Sequence, residues 1–163
     1  MSGTGETTIR PALSADHAQV HALFAQVDDM HRARLPEVFR ASPGPARAAG
    51  WWEERIAGQD CALLVADHMG ELLGLVELVD SAAPSSPLHH PRRHALIDTL
   101  VVKEGHQRRG IGRALMEAAH AWAIARGLGQ VQLNVWEANP EARAFYEALG
   151  YATLSRKLGR RLS

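Results

Sequence analysis

Ala95-Leu96-Ile97-Asp98-Thr99-Leu100-Val101-Val102-Lys103 is followed by Gln107-Arg108-Arg109-Gly110-Ile111-Gly112 and then by apolar residues at 111, 115, 118, 119 and 122. The first run, with Ile97, Leu100, Val101 and Val102, reads as a strand. The second carries two glycines and reads as a sharp turn. The third has the spacing of an amphipathic helix, which Gly127 stops. Val131 to Trp136 supplies another strand, so the stretch predicts a strand–helix–strand unit whose parallel crossover is right-handed.

Working outward, Asn139-Pro140 has the form of a helix N-cap and first position. Ala142, Phe145, Tyr146 and Leu149 then give a helical stripe that Gly150 ends, and Tyr151 to Lys157 predicts a last strand. On the amino-terminal side, Ile9 to Leu13 is a short strand, and Ser14 with Asp16 marks the start of a helix running to Met30. Prolines and glycines break the stretch from Asp28 to Gly50, with a turn of helix at Arg34 to Arg40. Trp51, Trp52, Arg55 and Ile56 suggest a short second helix closing at Gly58. Cys61 to Ala66 and Leu72 to Val79 read as an antiparallel hairpin about His68-Met69-Gly70-Glu71. Asp80 to His94 reads as an exposed loop. The predicted fold class is α/β: a central mixed sheet flanked by helices on both faces.

The 163 residues suit one domain, taken here as 1–163, burying roughly two-thirds of its unfolded surface. Hydrophobic residues make up 46%, enough for a packed core rather than a disordered chain. Eighteen Lys and Arg balance 18 Asp and Glu, which argues against nucleic acid as a partner, since such affinity rests on excess clustered cation. The single cysteine, Cys61, fits a reducing, cytoplasmic setting and cannot build a Cys-rich metal site. Met1 to Thr8 lacks the pattern of a secretory signal, and no apolar run approaches the ~18 residues of a membrane span.

The chemistry concentrates in the turn from Gln107 to Gly112. Its glycines allow successive N–H groups to face outward, and the following helix adds unpaired donors and the positive end of its dipole. With Arg108, Arg109 and Arg113 as counter-charges, this is a backbone cradle for phosphate. It is not a Walker loop, because Gly112 is followed by Arg113-Ala114 rather than Lys and Ser or Thr. Nor is it a dinucleotide fingerprint, because Leu115 occupies the third small position. By itself it also fits an ordinary glycine-rich turn with solvated arginines.

The block from Leu100 to Leu115, with its Gln107-Arg108-Arg109-Gly110-Ile111-Gly112 core, resembles the acyl-CoA signature of the GNAT N-acetyltransferase superfamily. The block from Asn139 to Tyr151, an Asn followed by a helix carrying Phe-Tyr and ending Leu-Gly-Tyr, is similar to that family's second signature. The resemblance covers Ile97 to Tyr151 firmly and the rest of the chain more loosely. It implies two parallel strands that splay apart, with the pantetheine arm of acetyl-CoA lying between them. Backbone groups of Leu100 and Val102 would bond that arm, and the loop Gln107, Arg108, Arg109, Gly110, Ile111, Gly112, together with Arg113, would hold the pyrophosphate. An N–H within Leu100, Val101 and Val102 would face the developing oxyanion. Asn139 would bond the cofactor arm, a role that can coexist with helix capping.

The resemblance also puts Tyr146 in the position of the acid that protonates the departing thiolate, although spacing alone favours a core aromatic of the helical stripe. An alkylammonium, with pKa near ~10.4, must lose a proton before attack. Asp98 and Glu77 are candidate bases, and a water relay is the other route. Strand alternation would set Asp98 on the same face as Leu96 and Leu100, an odd place for an unpaired carboxylate. The acceptor end is drawn from Asp28, Asp29, His31, Arg34, Glu37, Phe39 and Arg40, a mixture that leaves both cationic and carboxylate-bearing acceptors open.

His89, His90 and His94 lack the spacing of a zinc site, so no metal is expected. Arg156, Lys157, Arg160 and Arg161 read as a solvated end, and Trp51 and Trp52 as core or subunit-contact aromatics. The expected activity is transfer of acetyl from acetyl-CoA to a primary amine of a small molecule or peptide, by direct attack in a ternary complex. The competing reading is a non-catalytic acyl-CoA-binding regulatory module. No membrane partner is expected, and homodimers are common among proteins of this resemblance.

Overall fold

The computed structural model describes residues 5–84 and 86–162. Residues 1–4 of the amino-terminal stretch, Ser85 of the predicted loop and Ser163 lie outside the described residues. The elements are β1 (Thr8–Pro11), a 3-10 turn (Ser14–Asp16), α1 (His17–Arg34), α2 (Trp51–Ala57), β2 (Cys61–His68) and β3 (Glu71–Ala82). They continue with β4 (Arg93–Val102), α3 (Ile111–Ala125), β5 (Val131–Leu133) and α4 (Pro140–Ala148). The strands form one sheet in the order β1-β2-β3-β4-β5, antiparallel throughout except for the β4–β5 pair. This is the mixed sheet expected from the sequence.

Period-two alternation divides the buried strand residues between two clusters. Ala62, Leu64, Val76, Leu78, Ala95 and Ile97 face α3, packing on Leu115, Met116 and Ala119, with Phe145 and Tyr146 of α4 at the margin. Leu63, Val65, Leu72, Leu75 and Val101 face α1, packing on Val20, Leu23 and Phe24, with Trp51 and Trp52 of α2 alongside. The two tryptophans are therefore core-margin aromatics. Each buried Leu, Val or Phe here contributes ~1.5–3 kcal/mol of transfer free energy. Gly74 allows α3 its close approach: a Cβ there would lie 2.7 Å from the Val101 carbonyl and 3.1 Å from Leu115 Cδ1.

The β2–β3 hairpin turns through Met69 (φ 53°) and Gly70 (φ 88°), a two-residue turn with both central residues left-handed. Asp67 Oδ1 accepts the Gly70 N–H at 2.7 Å and fixes it. At the other end of the chain, Asn139 caps α4 by accepting the Ala142 N–H at 3.2 Å, with Pro140 in the first turn. Gly150 (φ 89°) closes that helix, and the Tyr151 N–H returns to the Tyr146 carbonyl at 3.0 Å.

Several expectations are corrected. Residues 151–157 form no strand; the run alternates poorly, and Arg156 and Lys157 leave Leu154 without an apolar face to join. β5 stops at Leu133 rather than Trp136, and α1 continues past Met30 to Arg34. The loop expected over 80–94 is narrower, because β3 reaches Ala82 and β4 begins at Arg93, which puts His94 in the sheet and buries it. The register slips between Glu77 and Leu78, which pair with Thr99 and Ile97, so Asp98 is the extra residue of a β-bulge. The bulge reverses the alternation: Leu96 and Leu100 lie on opposite faces, and Asp98 is exposed.

Candidate active site

β4 and β5 pair only over Ala95–Val131, Leu96–Gln132 and Ile97–Leu133, and then part. The bulge at Asp98 decides what faces the opening. The Lys103 N–H donates to the Leu73 carbonyl at 2.8 Å, so the ladder is directed to β3 at 103 and, two residues back, at Val101. Leu100 and Val102 consequently turn their N–H and C=O groups away from β3, toward the side where β5 has ended. Without the extra residue, that direction would fall to Thr99 and Val101. Val101 instead has its side chain buried under α1 and its backbone engaged with β3.

The opening ends at the glycine-rich turn. Arg108 (φ 61°) and Gly110 (φ 82°) are both left-handed and bracket Arg109, a backbone form in which successive N–H groups converge. The first helical bond of α3 runs from the Ala114 N–H to the Gly110 carbonyl at 3.0 Å. The N–H groups of Ile111, Gly112 and Arg113 precede it and remain outside the helix ladder. Arg108, Arg109 and Arg113 are exposed. Gln107 serves the loop itself: Oε1 accepts the Gly105 N–H at 3.2 Å, and Nε2 donates to the Val102 carbonyl at 3.3 Å. Gly112 lets α4 close in, since a Cβ there would stand 3.3 Å from Phe145 Cζ.

Two contacts of α1, not anticipated from the sequence, frame the cleft. Gln26 Nε2 donates to the Val102 carbonyl at 2.9 Å, and its Oε1 accepts the Glu104 N–H at 2.9 Å. Two turns further on, Arg34 Nη1 reaches the Ala138 carbonyl (3.1 Å), Asn139 Oδ1 (3.1 Å) and Glu141 Oε2 (2.8 Å). The separation of eight positions spans about 12 Å, so α1 bridges the end of β4 and the start of α4. Neither long-range partnership has a local sequence signal. Asn139 is thus shared between capping α4 and receiving Arg34.

Phe145 and Tyr146 leave α4 about 100° apart, yet their rings meet edge-on with centroids 5.3 Å apart. Phe145 lies against Gly112, whereas Tyr146 packs edge-on to Tyr151 with ring centroids 5.7 Å apart. Tyr151 is itself held by His120 Nε2 at 2.7 Å. Burial, with a lesser push from Tyr151, raises the Tyr146 phenol to about 12.

The two carboxylate candidates part company. Glu77 is buried and bound, accepting from Arg55 Nε at 2.7 Å and Thr99 Oγ1 at 3.3 Å. Burial works against the Arg55 charge, but the hydrogen bond and charge of Glu77 outweigh it and leave Arg55 raised. Glu77 is thereby engaged as the counter-ion of Arg55. Asp98 stands exposed at the bulge, beside the point where the strands part.

The segment expected to shape the acceptor end contributes an aromatic stack: His31 lies on Phe39 (centroids 5.0 Å, 18° between planes), and Phe39 meets Trp136 edge-on at 5.6 Å. Burial, with Arg34 adding to it against Asp28, lowers His31 below its ordinary value. Beside the stack, a concavity of about 390 Å³ is lined by Asp28, Arg32, Phe39, Arg40, Ser42 and Arg47, among others. Among the described residues, no group of three or more His, Cys, Asp or Glu is arranged to hold a metal, and no helix is long and apolar enough to cross a membrane.

Residues 24–151 match the model of the acetyltransferase (GNAT) family, and the chain belongs to that family. A curated relative, an uncharacterized N-acetyltransferase (YhfO) of Bacillus subtilis strain 168, is 27% identical over 143 residues, covering 88% of each chain. A tetramutant of the BH1408 protein from Bacillus halodurans superposes with TM-score 0.87 at 25% identity, over 95% of this chain and 99% of that one. An aminoglycoside N-acetyltransferase, AAC(6')-Iy, solved in complex with CoA, superposes with TM-score 0.71 at 15% identity, over 96% of this chain and 99% of that one. At that identity the last likeness is one of fold.

Proposed function

We propose that this protein transfers acetyl from acetyl-CoA to a primary amine of a small molecule or peptide, by direct attack within a ternary complex. The observation that supports it best is the parting of β4 from β5 after Ile97 and Leu133, with Leu100 and Val102 turned into the gap. Those residues fit the amide-rich pantetheine arm. The Val102 carbonyl, already braced by Gln26 and Gln107, leaves its N–H as the freer group. The loop from Gln107 to Gly112, with Arg113, fits the pyrophosphate by converging N–H groups and guanidinium charge. A CoA complex of a protein sharing this fold supports the same co-substrate.

In this reading the amine attacks the thioester carbonyl carbon, and a backbone N–H of the Leu100 to Val102 segment meets the oxyanion. Collapse breaks the carbon–sulfur bond, and Tyr146 gives its proton to the leaving thiolate. The proton lost by the ammonium passes to Asp98 or to water. Holding amine and thioester together supplies a large share of the rate. Asn139 contributes to the cofactor side while capping α4.

The test is thiol release from acetyl-CoA with a panel of amines, paired with calorimetry of CoA and acetyl-CoA binding. Amine-dependent release supports the enzyme. Binding heat without release by any amine marks the acyl-CoA-binding module instead, and absence of heat with either ligand overturns both.

A further inference from the structure

We propose that the acceptor carries an anionic oxygen group, a carboxylate or a phosphate, beside its amine, and that Arg40 in the cleft between α1 and the segment of residues 39–47 receives it. This rests on the acetyltransferase reading and specifies its substrate class. The link to the opening runs through Phe39 rather than along α1, because Asp28 and Arg32 of the cleft lie on the opposite flank of that helix from Gln26 and Arg34. Phe39, on the cleft wall, touches Trp136 just past the end of β5.

The charge of the lining points one way. Three guanidiniums, Arg32, Arg40 and Arg47, face one carboxylate, Asp28. That carboxylate is occupied, holding Arg47 through contacts of 2.6 and 3.3 Å. Arg47 is pinned further by lying 4.1 Å over the Phe24 ring. Arg32 is partnered by Asp29 at 2.7 Å. Arg40 is exposed and has no ion-pair partner among the described residues. An acceptor with several ammonium groups would bring like charge into this surplus, whereas an oxyanion meets a planar donor fork of matching geometry. Phe39, backed by His31, offers a flat apolar wall for the carbon skeleton between the two ends.

The experiment compares kcat/KM of the acetyl-CoA-loaded enzyme for lysine, phosphoethanolamine, cadaverine and an aminoglycoside, in the parent protein and in Arg40→Ala and Arg40→Lys. The expected result is a preference of about tenfold or more for the amines bearing an oxyanion, the size of one charge-assisted hydrogen bond. Arg40→Ala should abolish that preference through KM for the amine, with KM for acetyl-CoA unchanged, and Arg40→Lys should restore part of it. The lysine and phosphoethanolamine arms distinguish carboxylate from phosphate. Titration of the CoA-saturated protein with the same four compounds gives a second readout, in which the oxyanion-bearing amines bind and Arg40→Ala weakens them. The inference is overturned if cadaverine or the aminoglycoside is the better acceptor or ligand, if Arg40→Ala leaves the order unchanged, or if none of the four binds the CoA complex. Failure of the acetyltransferase reading itself is seen separately, as absence of CoA binding or of thiol release with every amine in a broader panel.

Discussion

Arg55 of α2 and Glu77 of β3 form a direct ion pair at 2.7 Å, with side chains only 15% and 6% exposed. Removing one partner strands a charge in the interior, which costs about 3–5 kcal/mol, whereas replacing both with apolar groups is often neutral. Arg55→Met should therefore lower the urea midpoint strongly, and Arg55→Met with Glu77→Leu should regain most of it. If Arg55→Met is silent in urea, the pair does not bear on stability.

Gly112 sets how closely α4 approaches the glycine-rich turn, since a Cβ at 112 would meet Phe145 Cζ at 3.3 Å and Val102 Cγ2 at 3.6 Å. Alanine gains about 1 kcal/mol of helix propensity over glycine, which offsets the crowding, so the thermal midpoint of Gly112→Ala should move little. The ring of Phe145 must yield by a few tenths of an ångström and carry Tyr146 with it. Small displacements of positioned groups lower turnover far more than stability. Steady-state kinetics should show kcat/KM for acetyl-CoA reduced by about tenfold; unchanged kinetics would mean α4 tolerates the shift.

The elements legible in the sequence are those whose signals are local. The stripe 111, 115, 118, 119 and 122 gave α3, Asn139-Pro140 gave the start of α4, and Met69-Gly70 gave the hairpin. The bulge at Asp98 was not legible, because it arises from the mismatch of β4 with β3 rather than from any residue of β4 alone. The same reason hid the direction of Leu100 and Val102. Tyr151 to Lys157 has the composition of a strand without a partner that accepts it. At the candidate site, the turn from Gln107 to Gly112 could be found from its glycines, whereas Gln26, Arg47 and Trp136 enter only through contacts across the fold.

Arg10 joins β1 to two carboxylates, Asp16 at 2.7 Å and Asp67 at 2.8 Å. Its hydrogen bond holds Asp16 below the ordinary 3.8 against the opposing effect of burial, and the Leu13 N–H assists. Asp67 is lowered by Arg10 and by the Gly70 N–H. A carboxyl depressed in the folded state stabilises above its unfolded pKa and loses that contribution as pH falls through the folded one. The parent protein should therefore weaken steeply as pH drops from about 4.5 downward, and Arg10→Met should show a shallower slope there with lower stability at neutral pH. Urea midpoints collected across that pH range give the answer, and parallel slopes for the two proteins would refute the linkage.

Tyr146 lies between Phe145 and Tyr151, and burial raises its phenol to about 12. A raised pKa keeps the hydroxyl protonated through any practical assay range, which is the form a proton donor to thiolate requires. Activity should consequently show no loss assignable to Tyr146 as pH rises from 6 to 10, and any rise on the acidic side reports deprotonation of the amine or its base. Tyr146→Phe keeps the ring packing and removes only the donor. It should lower kcat by about 10²- to 10⁴-fold with little change in CoA affinity measured by calorimetry. The expected acid role also makes the deficit depend on the leaving group, because a thiol of lower pKa needs less assistance. With an acetyl thioester of a more acidic thiol, such as thionitrobenzoate, the gap between parent and Tyr146→Phe should narrow. An equal deficit with both thioesters would assign Tyr146 to packing rather than proton donation.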